Sequence, residues 1–290
     1  MNNSQSFYLL SKDFDLHQFI SSSLKEDIGS SDHTTLACIP KNAKGKSQLI
    51  IKDNGLLAGV SLAEKIFHTL DKNLSVKKFL IDGTKVKKGD IAFSVEGNPR
   101  SILTAERVVL NCMQRMSGIA TMTNKLINLC KPYKIKVVDT RKTTPLIRGL
   151  EKWAVRIGGG YNHRFGLYDM ILIKNNHIDF AGGIRQAIES ANNYLTRKKL
   201  KLQIEIEARN LKEVKKILSF GKVNRILLDN FSIPEIKKAT NLINGKFEIE
   251  ISGGLNEKNI QKYASCGADY ISVGALTHSV KSLDMSLTAI

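Results

Sequence analysis

Six short segments in the second half of the chain carry groups able to bind anions, accept protons or hold a cation. They are Asp139-Thr140-Arg141-Lys142, Lys174 with His177, Glu207 with Arg209, Asp229-Asn230, Ser252-Gly253-Gly254 and Val273-Gly274-Ala275. Each falls at the end of a short apolar run. The cluster is mixed in sign. Arg141, Lys142, Arg164 and Lys174 supply cationic donors, and arginine's planar fork suits carboxylate or phosphate in two-point contact. Glu207 and Asp229 supply acceptors, or ligands for a hard cation; magnesium commonly takes one or two carboxylates plus substrate phosphates. The glycine-bearing turns at 252–254 and 273–275 offer backbone amides where α/β barrels often hold a phosphate. One such turn would mean little, since glycine more often simply makes a turn. His163 and Arg164 sit together in a glycine-rich loop, GGGYNHRFG at 158–166. A lone histidine is usually a structural hydrogen-bonding residue. Beside an arginine, in a loop expected to face the same rim, substrate or phosphate contact is favoured. No His or Cys stands at metal-ligand spacing from it. Neither G-x-S-x-G nor H-E-x-x-H occurs, so serine or zinc hydrolysis has no support.

The runs before these segments predict the elements that must position them. Residues 135–138, 170–173, 202–206, 226–228, 247–251 and 270–273 read as buried strands. Helical patterns lie at 181–195, 211–219, 234–243 and 257–265. Alternating strand and helix predicts a parallel sheet with right-handed crossovers. The even spacing of the later strands favours a barrel over an open sheet, and no G-x-G-x-x-G follows any strand. Barrel active sites are built on the C-terminal strand ends, which is where the six polar segments fall. The first 117 residues are less regular. Helices are expected over 14–28, 61–70 and 103–117, the last capped by Thr104, with strands at 48–51, 56–60 and 91–95. The fold class is therefore α/β. An N-terminal α/β sandwich-like domain (1–117) precedes an incomplete TIM-like parallel barrel (118–275), and residues 276–290 are expected to pack back on the first domain.

Composition bounds the remaining choices. The chain has 290 residues, 42% apolar and 24% charged, enough for one large or two ordinary domains. This mix excludes a collagen-like, disulfide-stapled or disordered chain. No apolar run approaches the roughly 20 residues of a membrane span, and the N-terminus lacks a signal-peptide pattern, so a cytoplasmic location is expected. Cys38, Cys112, Cys130 and Cys266 form no C-x-x-C pair and read as reduced, mostly buried thiols. Lys and Arg number 44 against 27 Asp and Glu, a formal charge of +17. Nucleic-acid binding would call for a basic stripe with interleaved aromatics, and none is present. Lysine-rich solvated faces account for most of the excess, and a basic cleft for small polyanions for the rest.

The run DTRKTTPLIRGLEKWAVRIGGGYNHRFGLYDMILIKNNH at 139–177 closely resembles the quinolinate phosphoribosyltransferase family (nicotinate-nucleotide pyrophosphorylase, carboxylating). EDIGSSDHTT at 26–35, TAERVVLNCMQRMSGIAT at 104–121, LLDNFS at 227–232, EISGGLN at 250–256 and ISVGALTHS at 271–279 extend the likeness over nearly the whole chain. The resemblance implies conversion of quinolinate and phosphoribosyl pyrophosphate to nicotinate mononucleotide, pyrophosphate and carbon dioxide, in pyridine nucleotide synthesis. It implies magnesium and no organic cofactor. It also implies a homodimer, or an assembly built from such dimers, in which each active site is completed by the partner. By matching, Arg141, Lys142, His163, Arg164 and Lys174 would hold the quinolinate carboxylates and nearby phosphate, and Thr140 would add a further contact. Arg107 would reach into the neighbouring subunit's site. Glu207 and Asp229 would face the ribose hydroxyls and magnesium–pyrophosphate. Ser252, Gly253, Gly254, Val273, Gly274 and Ala275 would bind phosphate. Lys142 and Lys174 both qualify as the cation that assists decarboxylation. Two positions depart from the family pattern: Leu146 stands where a glycine is usual, and Arg209 where an acidic residue often follows the third strand, so that Glu207 is the preferred functional acid and Glu205, on the same strand face, the second. The alternative is a paralogue of the type associated with molybdenum transport, with another substrate. The intact Arg107, Arg141 and His163-Arg164 set favours the first reading.

Overall fold

The computed structural model describes residues 7–290. A short 3-10 turn (Phe7–Leu9) precedes α1 (Leu16–Ile28), α2 (His33–Cys38), β1 (Gly45–Ile51), β2 (Gly55–Leu56) and α3 (Val60–Leu70). There follow β3 (Ser75–Lys78), β4 (Lys85–Val86), β5 (Ile91–Gly97) and the long α4 (Pro99–Cys130). Next come β6 (Lys136–Val138), α5 (Arg148–Ile157), β7 (Ile171–Ile173), α6 (Asn175–Phe180), α7 (Ile184–Lys198) and β8 (Ile204–Ala208). The chain ends with α8 (Leu211–Phe220), β9 (Arg225–Asp229), α9 (Ile233–Ile243), β10 (Glu248–Ser252), α10 (Ile260–Ala264), β11 (Tyr270–Ser272), α11 (Ala275–His278) and β12 (Met285–Ala289). Among the described residues, no helix is long and apolar enough to cross a membrane.

The chain divides into two compact units. One comprises the chain to Asn124, Thr143–Gly159 and Leu276–Ile290; the other comprises Lys125–Lys142 and Gly160–Ala275.

The first unit is built on an antiparallel sheet of order β12-β1-β5-β3. Alternate residues of β1 point inward, and Leu49 and Ile51 are fully buried. Leu62, Ile66 and Phe67 of α3 cover this face, with Phe67 edge-on to Phe93 at 6.1 Å. Two local expectations are corrected here. The strand expected at 56–60 ends at Leu56, because Gly59 adopts φ +94° and Val60 already opens α3. Helix α4 does not start at a Thr104 cap. It begins at Pro99, where Asn98 Oδ1 accepts the Arg100 N–H at 3.0 Å, and Thr104 Oγ1 instead donates to Asp32 Oδ2 at 2.9 Å.

The second unit holds six parallel strands in the order β6-β11-β10-β9-β8-β7. Register sorts their residues onto two faces. Ile206, Ile226, Leu228, Ile249, Ile251 and Ile271 share one face and are almost fully buried. Glu205, Glu207, Arg225, Asp229, Glu250 and Ser252 share the other. Carboxylates from β8 and β10, which flank β9, converge on a single histidine nitrogen, so the polar face is concave. The barrel is incomplete: β6 and β7 are edge strands, and Tyr161 pairs alongside β6 through a parallel bridge to Val138. All four cysteines are free. Cys130 and Cys266 are buried, whereas Cys112 is half-buried and Cys38 exposed.

Candidate active site

The strand ends of the parallel unit carry the groups that the sequence singles out. Behind β6, the buried Asp139 carboxylate organises the 160s loop: Oδ1 accepts the His163 N–H at 2.9 Å and Oδ2 accepts Asn162 Nδ2 at 2.5 Å. Thr140 Oγ1 accepts the Lys142 N–H at 3.0 Å, a local turn that leaves the Arg141 and Lys142 side chains exposed. Arg164 is tethered by its Nη1, which donates to the Met170 carbonyl at 3.1 Å. Burial and the nearby Arg141 guanidinium lower its pKa, against the opposing pull of Glu205, Asp169 and Glu207. The Arg141 charge thus acts on Arg164, and a pair of like-charged forks suits a dianion.

At the end of β7, Lys174 Nζ lies 2.5 Å from Glu207 Oε1, and Glu207 Oε2 accepts the Asn175 N–H at 2.9 Å. His177 Nδ1 accepts the Lys174 N–H at 2.9 Å and caps α6. Its sequence position therefore reflects local structure. Arg209 turns back onto its own helix start, pairing with Glu213 at 2.7 Å and Asp179 at 3.1 Å. At the end of β9, Asp229 Oδ1 accepts the Ser252 hydroxyl at 2.9 Å.

The turn after β10 has a steric reason for its glycine. Gly253 adopts φ +107°, and a Cβ there would lie 2.1 Å from Asn230 Oδ1 and 2.9 Å from the Asn230 backbone nitrogen. Gly254 adopts φ +61° with open space around it. The turn is packed against Asn230 at Gly253 and exposed at Gly254, whose carbonyl accepts Asn256 Nδ2 at 3.2 Å and Asn259 Nδ2 at 3.0 Å. Val273 is buried and Gly274-Ala275 half-buried, where β11 gives way to α11.

Below the strand ends lies a cluster for which the sequence offers weaker signals. His163 Nε2 stands 2.9 Å from Glu205 Oε2 and 3.5 Å from Glu250 Oε2. Glu250 also receives Arg225 Nη1 at 2.9 Å, and Arg225 stacks 3.7 Å over the Tyr270 ring. Glu205 follows Glu207 in the sequence reading; Glu250 and Arg225 are not among its candidates. Their signal is a charged residue at alternate positions of an otherwise apolar buried strand. Against burial, the hydrogen bonds and charges of Glu205 and Glu250 push His163 up to about 9. The Arg164 N–H, 2.8 Å from Nδ1, opposes this, because a doubly protonated ring has no lone pair there. Burial and Glu250 push Glu205 above the ordinary carboxylate range. Against its own burial, Glu250 is held below that range by His163 and Arg225. The three acceptor atoms lie within 4.8 Å of one another, which suits a metal geometrically. The Arg225 contact makes the cluster an ionic hydrogen-bond network instead.

Arg107 belongs to the other unit, where it is exposed on α4. In that unit, Leu146 occupies φ +67° and is 91% exposed. The left-handed conformation costs an L-residue roughly 1–2 kcal/mol, and glycine gives back about 0.5–1 kcal/mol in chain entropy. Leu146→Gly is therefore expected to stabilise the protein by about 0.5–1 kcal/mol, read as a higher urea midpoint at unchanged slope.

Residues 32–117 match the family model described as quinolinate phosphoribosyl transferase, N-terminal domain, and residues 119–288 match its C-terminal domain. A "Quinolinate phosphoribosyltransferase [decarboxylating] 2b, mitochondrial" of Nicotiana tabacum is 44% identical, over 94% of this chain and 82% of its own length. A "Probable nicotinate-nucleotide pyrophosphorylase [carboxylating]" of Bacillus subtilis is 38% identical, over 90% of this chain and 89% of its own. The solved nicotinate-nucleotide pyrophosphorylase from Francisella tularensis superposes with a TM-score of 0.88 at 39% identity, covering 95% of this chain and 96% of that one. With both domain models matched in order along one chain, and with relatives aligned over most of their length, this protein belongs to the quinolinate phosphoribosyltransferase family.

Proposed function

We propose that this protein joins quinolinate to phosphoribosyl pyrophosphate, forming nicotinate mononucleotide, pyrophosphate and carbon dioxide. The observation that carries the reading is the mixed-sign rim of the parallel unit in a chain of this family. There, Arg141 and Arg164, near enough to feel each other's charge, accompany the Lys174–Glu207 pair, Asp229 and a glycine turn exposed at Gly254. The arginines suit the two carboxylates of quinolinate. The ring nitrogen attacks C1 of the ribose, the C1–oxygen bond breaks, and its electron pair leaves with pyrophosphate. Glu207 and Asp229 stabilise the positive charge that develops on the ribose. The bond to the 2-carboxylate then breaks, carbon dioxide departs, and the ring carbon takes up a proton. Lys174 is the favoured cation for that step: its Nζ is held by Glu207 while half its side chain remains exposed. With no nucleophile for a covalent intermediate, positioning and electrostatics supply the catalysis.

Magnesium fits the oxygen donors at the β9 end. Asp229 would hold it together with substrate phosphates, whereas both Glu207 oxygens are engaged by Lys174 and the Asn175 N–H. When bound, the ion would neutralise the leaving pyrophosphate. The proposal extends to a homodimer in which the exposed Arg107 reaches the partner's site, in a cytoplasmic setting.

Release of labelled carbon dioxide from carboxyl-labelled quinolinate tests the reaction. Release should require phosphoribosyl pyrophosphate, should stop on chelation of magnesium, and should accompany nicotinate mononucleotide. No release from folded protein supplied with both substrates and magnesium would overturn the assignment.

A further inference from the structure

Beneath the rim, the concave face of the parallel sheet buries more negative charge than its own pairing needs. Glu205 and Glu250 are 0% and 1% exposed. Arg225 balances Glu250, while Glu205 lies across the face with His163 as its hydrogen-bonding partner. The second Glu205 oxygen is buried without a hydrogen-bond partner. Buried carboxylates of this kind are costly, and well-packed apolar residues usually serve stability as well or better. The opposite face of the same strands is filled with Ile, Leu and Ala.

Several backbone and side-chain holds fix the 160s loop. Asp139 takes the Asn162 side chain and the His163 N–H. Asp169 takes the Phe165 N–H at 2.6 Å and the Gly166 N–H at 2.9 Å. The His163 ring joins this set, its Nδ1 accepting the Arg164 N–H at 2.8 Å. Nε2 of the ring meets both buried carboxylates, Glu205 at 2.9 Å and Glu250 at 3.5 Å.

We infer that Glu205 and Glu250 are positioning residues for substrate capture: they seat the His163 ring from below, and the seated ring holds the His163-Arg164 turn so that the Arg164 guanidinium is presented to a substrate carboxylate. The inference rests on the reading of quinolinate as substrate and adds two residues to its machinery. Neither carboxylate touches the substrate. Glu205 contributes more than Glu250, because it makes the shorter contact and Glu250 is shared with Arg225.

The test compares Glu205→Leu with Glu205→Gln in steady-state kinetics for both substrates. Leucine fills the space but cannot receive Nε2–H; glutamine can. Glu205→Leu is expected to raise the quinolinate KM by about tenfold or more. The KM for phosphoribosyl pyrophosphate should move by less than about twofold, a step well below the tenfold worth of one strong hydrogen bond. Glu205→Gln should recover most of the loss. The His163 ring is followed in parallel by 15N NMR of histidine-labelled full-length protein. Its Nε2–H signal should persist in Glu205→Gln and lose its fixed environment in Glu205→Leu. An unchanged quinolinate KM in folded Glu205→Leu, an equal rise in both KM values, or a glutamine variant as impaired as the leucine one would overturn the inference. Should the leucine variant fail to fold, Glu250→Leu, which removes the 3.5 Å acceptor while Arg225 keeps its pair with Glu248, replaces it, with a smaller quinolinate-specific rise expected and no rise counting against the proposal. A wrong substrate assignment would appear differently, as absent turnover in the wild type. The ring signals then decide the positioning role alone.

Discussion

Arg164→Ala is expected to raise the quinolinate KM by one to two orders of magnitude while leaving the KM for phosphoribosyl pyrophosphate nearly unchanged. A charge-assisted hydrogen bond contributes about 1.5–3 kcal/mol, and each 1.4 kcal/mol is about tenfold in affinity. The effect lies toward the upper end because Arg164 is not a flexible surface arginine. Its guanidinium is tied to the Met170 carbonyl at 3.1 Å and its backbone N–H to His163 at 2.8 Å, so the fork is aimed before substrate arrives. Arg164→Lys should restore little. An ammonium returns the charge but neither the planar two-point contact nor the tether to Met170. Alanine should also relieve Arg141 of a like charge, partly offsetting the loss for substrates with a single carboxylate. The measurement is a pair of KM determinations for quinolinate and for a monocarboxylate analogue. A selective loss of phosphoribosyl pyrophosphate affinity would move Arg164 to the phosphate side of the site.

The rim residues were legible because parallel strands buried on both faces read as short apolar runs, and a polar residue after each run marks its end. Lys174 directly follows β7, Asp229 and Ser252 close β9 and β10, and Glu207 is the penultimate residue of β8. The family resemblance added Arg107, which strand periodicity could not single out. The network under His163 was harder to see. Glu205 and Glu250 come from strands that are not sequence neighbours of the loop they serve, so their meeting depends on the curvature of the sheet. Helix α5 escaped for a different reason. Leu150, Trp153, Ala154 and Ile157 do recur at helical spacing, but the buried Glu151 and Lys152 read in sequence as a polar interruption. Strand β12 is a short, mixed run, MSLTA, whose strand character comes from pairing with β1.

Glu151→Ala should cost about 3 kcal/mol of stability. The carboxylate is 0% exposed. Its Oε1 receives Arg115 Nη2 at 2.8 Å and Nε at 3.1 Å, and its Oε2 receives the Thr144 N–H at 3.1 Å. Arg115 continues to the Thr277 carbonyl, so one buried anion ties α4 to two separate stretches of chain. Alanine would leave a largely buried guanidinium without its counter-charge and a backbone donor without its acceptor. The melting temperature should fall by roughly 6–12 °C. Replacing both partners with apolar residues, as in Arg115→Met with Glu151→Leu, should recover much of the loss, because the penalty lies in the stranded charge. Equal melting of the single and double variants would show that the pair itself, beyond its neutrality, sets the stability.

The pairing of β12 with β1 also has a consequence for synthesis. Leu49 of β1 meets Leu287 of β12, and Ser47 meets Ala289. When β1 emerges from the ribosome, its partner on that side lies more than two hundred residues from being made. At about 5–20 residues per second, the wait is roughly 10–50 s. Throughout that interval one edge of the nascent sheet has open hydrogen-bonding groups above a buried Leu49 and Ile51, the kind of edge that recruits other chains. The second unit needs no such late partner, since its last strand, β11, ends at Ser272. Chains halted shortly before Met285 should therefore bind chaperones through the first sheet even when the parallel unit behind it is already closed to them.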